Sequence, residues 1–247
     1  MAGAYDRTRP RYPQELIQQA TSYLLSGATI LEIGCGPGIA TVEFAKLGFS
    51  MVSLEPSAAA CQIARENCAI YPQVEIINTT FEDWDAGSVK FSAILAATSW
   101  HWVDPQIGYP KAIASLEDQG YLILLWNHIP QPSYVIYQEL EKVYTNLSPS
   151  LAEYEDQATQ EKSLQKFGQT VIDSGLFQDL VATQLVSQVS YSIDDYLALL
   201  STLSPYIALE SHQREQLFID LREVLTVTHG TQIQTSYLSM LQIFQKL

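Results

Sequence analysis

Leu31-Glu32-Ile33-Gly34-Cys35-Gly36-Pro37-Gly38 sets three glycines and one acid within eight residues. Glycines let a backbone turn sharply and approach a ligand closely, which is how a nucleotide-binding loop works when it joins a strand to a helix. About 20 residues further on, Glu55 follows Leu54, and a carboxylate there can accept hydrogen bonds from both hydroxyls of a ribose. Bonds of this kind, to a charged acceptor, are worth about 1.5–3 kcal/mol each. Taken singly the signals are weak, because a Gly-Pro pair is more often an ordinary turn and a lone acid after a strand more often a solvated cap. Their occurrence together, in register with strands and a helix, is the informative observation.

That register has to come from the flanking elements. From about Thr29 to Asn127, short β-rich runs alternate with helical patterns, as in a parallel sheet covered by helices on both faces. The runs are Thr29–Ile33, Ser50–Leu54, Val74–Ile77, Ser92–Ala96 and Tyr121–Trp126, with helices predicted at Ile39–Lys46, Ser57–Ala69 and Pro105–Leu116. Ser57 stands where its hydroxyl can cap the second of these helices. Pro13–Leu25 reads as a preceding helix packed against the first strand. Beyond the block, Ser133–Asn146 and Lys162–Ser174 read as helices, while Leu180–Val189 and Gln232–Phe244 alternate like strands, with two more helical stretches between them. The expected organisation is one domain over residues 1–247. Its core is about 1–130 plus strands at about 178–190 and 231–244, and its helical lid about 131–175 and 192–226.

Nicotinamide dinucleotides and S-adenosylmethionine both use a glycine turn followed by an acid. A dinucleotide fingerprint needs Gly-x-Gly-x-x-Gly, but the sixth position here is Ile39 and Gly38 falls one place early, so pyrophosphate packing at the helix N-terminus is unsupported. Glu32, inside the strand just before the loop, suits a ligand carrying an ammonium group better than one carrying phosphates. S-adenosylmethionine is therefore the expected cofactor. An NAD(P)-dependent oxidoreductase and a non-catalytic S-adenosylmethionine-binding regulatory protein are the alternatives.

Glu32-Ile33-Gly34-Cys35-Gly36-Pro37-Gly38 resembles the first motif of class I S-adenosylmethionine-dependent methyltransferases, and Leu54-Glu55-Pro56-Ser57 resembles their second. The likeness continues through Thr80-Phe81-Glu82-Asp83-Trp84 at the adenine-contacting position and Ala97-Thr98-Ser99-Trp100-His101-Trp102 after the fourth strand. Gly120-Tyr121-Leu122-Ile123-Leu124-Leu125-Trp126-Asn127 matches the fifth strand. Tyr5-Asp6-Arg7-Thr8-Arg9-Pro10-Arg11-Tyr12-Pro13 is similar to the N-terminal segment of a branch, the type 11 methyltransferases, that includes enzymes like trans-aconitate methyltransferase. These motifs span about half the chain. The resemblance implies an α/β fold with a Rossmann-like, seven-stranded, mostly parallel sheet, an antiparallel last strand, helices on both faces and a helical lid. It also implies S-adenosylmethionine held by Tyr5, Arg9, Tyr12, Glu32, Gly34, Cys35, Gly36, Gly38, Glu55, Pro56, Thr80, Phe81, Glu82, Ala97 and Thr98. Many relatives carry an adenine-binding acid where this chain has Thr80, so that contact would pass to Glu82, a backbone carbonyl or water.

Methyl transfer from a sulfonium is an in-line displacement that needs alignment and dryness, with a base only if the nucleophile must lose a proton. His101, just after the fourth strand, is the candidate base; the plainer reading is that it hydrogen-bonds a carbonyl and shapes the pocket. His128 ends the fifth strand and faces the same crevice, although a loop histidine is more often solvated. Trp100 and Trp102 flank His101 with period two and would point one way, into the core or over a substrate. Arg9 could pair the methionine carboxylate, which its planar fork matches, and for a carboxylic-acid substrate one of Arg7, Arg9 and Arg11 could bind that carboxylate instead. Cys35 reads as a small structural residue. Glu153-Tyr154-Glu155-Asp156 reads as a solvated acidic face.

The composition narrows the partners. With 13 basic against 27 acidic residues, the formal charge is −14, which repels phosphate backbones and anionic membrane surfaces. The three cysteines show neither metal-ligand spacing nor a Cys-x-x-Cys pair, as expected of free thiols in a cytoplasmic protein. No metal is expected. The segment Ala97-Thr98-Ser99-Trp100 lacks the Asn/Asp-Pro-Pro motif of many enzymes that methylate base or amide nitrogens. A small-molecule acceptor is expected, possible classes including a carboxylic acid, which would need no general base, and the protein is expected to be a monomer or homodimer.

Overall fold

The structure, a computed structural model, describes residues 2–85 and 87–247. Its strands are β1 (Thr29–Ile33), β2 (Ser50–Leu54), β3 (Val74–Ile77), β4 (Phe91–Ala97), β5 (Leu116–Asn127), β6 (Gln131–Pro132), β7 (Phe177–Ser192) and β8 (Gln232–Lys246). Its helices are α1 (Ala2–Thr8), α2 (Gln14–Thr21), α3 (Ile39–Lys46), α4 (Ala58–Asn67), α5 (Pro105–Ser115), α6 (Tyr134–Leu147), α7 (Gln157–Asp173), α8 (Ile193–Ser201), α9 (Ser204–Ile207) and α10 (Ser211–His229). Five strands run parallel in the order β3-β2-β1-β4-β5. β8 adds antiparallel to β5, and β7 pairs along the whole of β8 on its far side. The sheet is thus the expected seven-stranded, mostly parallel one, with the two-residue β6 pairing as an addition beside β8.

Period-two alternation in the central strands explains why both faces need helices. Leu31, Ile94, Leu122 and Leu124 are buried on one face beneath Ala112 of α5 and Leu164 and Val171 of α7. Their neighbours Ile30, Leu95, Ile123 and Leu125 are buried on the other beneath Leu16 and Ile17 of α2 and Phe44 of α3. Each such side chain stabilises the fold by about 1.5–3 kcal/mol relative to exposure. A third cluster lies away from these, where Leu217, Leu221 and Leu225 repeat every four residues along α10 and meet Leu140 of α6 and Leu197 of α8. α7, within the segment expected as lid, instead lies on the sheet, with Gly168 so close to β8 that a Cβ there would come within 2.3 Å of Gln242 Nε2.

Several ends differ from expectation for local reasons. α2 stops at Thr21 rather than Leu25, because the Thr21 and Ser22 hydroxyls donate back to the carbonyls of Ile17 and Gln19 and offer the backbone an alternative to further helix. α7 begins at Gln157, five residues before the expected Lys162, because the Asp156 carboxylate accepts from Thr159 N at 2.8 Å and caps it. α5 passes into β5 without a loop, and α1 is a helix where none was expected. Among the described residues no helix is long and apolar enough to cross a membrane.

Candidate functional site

The glycine turn leaves β1 with Gly34, Gly36 and Gly38 at φ 67°, 56° and 87°, the left-handed region that side chains avoid. Gly34 N and Cys35 N both donate to Leu54 O, at 2.8 and 3.0 Å, tying the turn to the end of β2. A Cβ on Gly34 would lie 2.7 Å from Ser99 Cβ, so this position carries no side chain because β1 and β4 close there. A Cβ on Gly36 would meet nothing within 4 Å, which leaves its backbone open to a ligand. Glu55 completes the turn. Its Oε2 accepts from Gly36 N at 2.9 Å and its Oε1 from Ser57 N at 2.8 Å. Each oxygen still has capacity for one or more further donors.

The loop and the acid open onto a cavity of about 560 Å³. Of the residues expected to bind cofactor, Tyr5, Tyr12, Gly34, Cys35, Gly36, Glu55, Pro56, Thr80, Phe81, Glu82, Ala97 and Thr98 line it. At the far end, the Thr80 hydroxyl is held by Asp83, 2.8 Å from its Oδ2. Glu82 Oε1 accepts from Asp104 N at 3.0 Å, fixing the turn that leads into α5. Burial pushes the Cys35 thiol well above its usual range, consistent with the structural role expected of it.

Three of the residues expected to bind cofactor, Glu32, Gly38 and Arg9, do not line the cavity. Glu32 is fully buried beneath the loop, where Oε2 accepts from Thr41 Oγ1 at 2.6 Å and Ser53 Oγ at 3.0 Å. Desolvation raises its pKa to about 7. Gly38 faces inward, where a Cβ would come within 3.4 Å of Cys68 Sγ, so it packs α3 against α4. Arg9 lines instead a smaller pocket of about 30 Å³, together with Pro10, Asn127 and His128. Its guanidinium sits 4.5 Å over the Tyr5 ring and Nη2 donates to Thr202 O at 3.4 Å.

His101, the expected base, is likewise absent from the lining. β4 ends at Ala97, and Trp100–Trp102 form a turn of 3₁₀ helix, so the period-two reading of this segment fails and the three rings diverge. Trp100 is buried in the core, while Trp102, 72% exposed, reaches the cavity rim. The His101 ring lies outside, tilted against Trp126 and Phe167 with its centroid 5.7 Å from each of theirs, and partial desolvation lowers its pKa.

The wall opposite the loop comes from distant segments. Tyr12 OH meets Thr98 Oγ1 at 2.9 Å. Thr98 itself adopts φ 56° and donates its N–H to Leu125 O at 2.7 Å. Asn127 Nδ2 donates to Pro10 O at 3.0 Å, and its Oδ1 accepts from Ser239 Oγ at 2.6 Å. Tyr191 OH donates to Thr8 O at 2.8 Å and Tyr237 OH to Arg11 O at 3.1 Å. Thr202 and Ile207 of the α8–α9 region complete the lining. Sequence reasoning missed both, and nothing in their local pattern marks them. Asn127 was detectable as a polar residue ending an otherwise apolar strand. The acidic stretch read as a solvated face has specific tasks: Asp156 caps α7 and Glu155 pairs with His128 at 2.8 Å.

A family model described as a methyltransferase domain matches residues 5–170. An uncharacterized methyltransferase of Mycobacterium tuberculosis is 34% identical over 127 residues, 51% of this chain and 49% of that protein. The chain spans about half the length of the curated relatives it matches. A protein of Anaeromyxobacter dehalogenans provisionally assigned as a type II methyltransferase has the same fold, with a TM-score of 0.70 at 17% identity over 95% of this chain and 97% of that one. Geranyl diphosphate C-methyltransferase of Streptomyces coelicolor, in complex with S-adenosyl-L-homocysteine among other ligands, is similar with a TM-score of 0.51 at 13% identity over 95% and 78%.

Proposed function

The chain belongs to the methyltransferase domain family, and from that premise we propose that it transfers a methyl group from S-adenosylmethionine to a small-molecule acceptor. The observation that carries the reading is Glu55, whose carboxylate stands at the cavity wall, fixed by Gly36 N and Ser57 N, with free lone pairs on both oxygens. S-adenosylmethionine, when bound, supplies a methyl group on a positively charged sulfur. The residues present fit such a molecule. Glu55 would take the ribose hydroxyls, and the backbone of Gly34-Cys35-Gly36 leaves room beside it. Phe81, with Leu54 and Pro56, would flank the base, while Thr80 and Glu82 stand at its edge. Tyr5, Tyr12, Thr202 and Ile207 would exclude water from the opposite side, which strengthens every electrostatic contact inside.

Among the described residues, the only charged side chains lining the cavity are Glu55 and Glu82, among aromatic and aliphatic neighbours such as Tyr5, Tyr12, Trp102 and Val103. An acceptor there would be small and largely apolar. The carboxylic-acid class implied by the resemblance would have to place its charge toward Arg9, which borders the cavity through Tyr5 and Tyr12. Calorimetric titration of the protein with S-adenosylhomocysteine and with NADH tests the cofactor, and transfer of labelled methyl to a panel of small acids, phenols and amines tests the reaction. Saturable binding of S-adenosylhomocysteine and label in a product are the expected results. Binding of NADH alone would overturn the proposal.

A further inference from the structure

Two buried nitrogens have no partner among the described residues, Arg9 Nε and His128 Nδ1. Their residues line the same pocket of about 30 Å³, a side chamber that adjoins the main cavity, with Tyr5, Tyr12, Ile39 and Thr98 lining both. A space of that size takes one small polar group, either a water or the functional group of a larger molecule. A buried hydrogen-bonding atom left without a partner is costly, so the two nitrogens specify what fits. Arg9 Nε–H can only donate. His128 Nε2 lies 2.8 Å from Glu155 Oε2. In the neutral ring the carboxylate therefore fixes the hydrogen on Nε2, and Nδ1 presents a lone pair that can only accept.

A group seated between them must accept from one nitrogen and donate to the other. A hydroxyl does both. A carboxylate does not, since its oxygens would face the Nδ1 lone pair. We propose that this side chamber seats the hydroxyl of the methyl acceptor, with Arg9 donating to its oxygen and His128 accepting its proton. The inference rests on the proposed methyl transfer and narrows its acceptor from small molecules in general to hydroxyl compounds. When the proton moves, the O–H bond breaks with its electron pair left on oxygen beside the Arg9 guanidinium. An N–H bond forms at Nδ1, and the Glu155 carboxylate offsets the charge on the ring. The body of the acceptor would then lie against Tyr5, Tyr12 and Trp102.

The test uses the whole protein loaded with S-adenosylhomocysteine and carrying ¹⁵N-labelled histidine, with phenol and benzoate as probes. The chain has four histidines, and His128→Asn assigns the relevant signal. Nδ1 of His128 should show the signature of an unprotonated ring nitrogen, and Glu155→Leu, which leaves Nε2 no acceptor, should abolish that tautomer preference. Phenol should perturb the signal saturably and bind at least about tenfold more tightly than benzoate, and Arg9→Met should weaken phenol about fivefold to tenfold, the effect of one hydrogen bond. Tighter binding by benzoate would overturn the proposal in favour of a carboxylate seat. An unperturbed His128 with either probe would assign the chamber to water and overturn it too. Loss of S-adenosylhomocysteine binding in Arg9→Met would move Arg9 to the cofactor and overturn it as well. Failure of the unmodified protein to take up S-adenosylhomocysteine would appear before any probe is added, and would remove the parent reading instead.

Discussion

The floor of the cavity and its roof are built by opposite rules. The floor, Gly34–Pro37, Glu55–Ser57 and Ala97–Ser99, consists of the ends of adjacent parallel strands joined mainly through backbone atoms. The roof brings Tyr5 and Tyr12 from the beginning of the chain to Thr202 and Ile207, and side-chain hydrogen bonds and ring contacts hold it. At Gly34 the backbone floor leaves no room for a Cβ, whereas a roof made of side chains can change residue by residue. On the proposed function, the cofactor would lie on the rigid floor and the acceptor against the adjustable roof.

The contrast can be broken most directly at Gly34. Gly34→Ala must set a Cβ 2.7 Å from Ser99 Cβ at φ 67°, and overpacking plus left-handed strain should cost about 3–4 kcal/mol of stability. A loss below about 1 kcal/mol in denaturant unfolding would mean that the floor is more pliable than described.

Glu32 sharpens the comparison beneath the floor. Its folded pKa of about 7 lies above its ordinary 4.5, chiefly through desolvation, with the Thr41 and Ser53 hydroxyls partly opposing. The folded state therefore holds a proton that the unfolded chain has lost. Stability from this group is complete below pH 4.5 and declines as pH rises toward about 7, by about 3 kcal/mol in all. Glu32→Gln should flatten that decline, and an unchanged pH profile of unfolding would contradict the buried charge.

Next comes Glu55→Ala, expected to weaken S-adenosylhomocysteine by about 2–3 kcal/mol, or roughly 30–150-fold, with the loss of two charge-assisted acceptors. Calorimetry reads it directly. In the roof, Tyr12→Phe removes only the contact with Thr98 and should cost about 1 kcal/mol of stability, visible as a shift of a few degrees in thermal unfolding. His101→Ala belongs to neither half and should leave S-adenosylhomocysteine affinity within about twofold, since its ring lies tilted against Trp126 and Phe167 outside the cavity. A tenfold loss there would return His101 to the site.

The same division explains what could be read from the amino-acid sequence. Strands β1 to β3 and the loop between β1 and α3 were legible to the residue, because strand period, glycine turn and acid all lie within one short stretch and interact through neighbouring backbone. The roof was not, because Thr202 approaches Arg9 across 193 residues and no local pattern encodes a meeting at that distance. Trp100 and Trp102 were expected to point one way through a wrong period: Trp-His-Trp reads like a strand until the 3₁₀ turn rotates it. The start of α7 was missed because Asp156, in an acidic run, was taken for a solvated charge when it is a cap. His128 and Arg9 could be suspected singly, but only their common pocket shows that one needs a donor and the other an acceptor.

The clasp of the N-terminal segment by Asn127, Tyr191 and Tyr237 also fixes an order of events during synthesis. β1, β2 and β4 leave the ribosome early, and with them the whole floor. The tyrosines that hold Thr8 and Arg11 in place sit on β7 and β8, which emerge about 180 and 230 residues after the segment they secure. The nascent chain thus carries the pieces of a nucleotide pocket well before it can seat an acceptor, and the two halves of the site become one compartment only when the last strands pair.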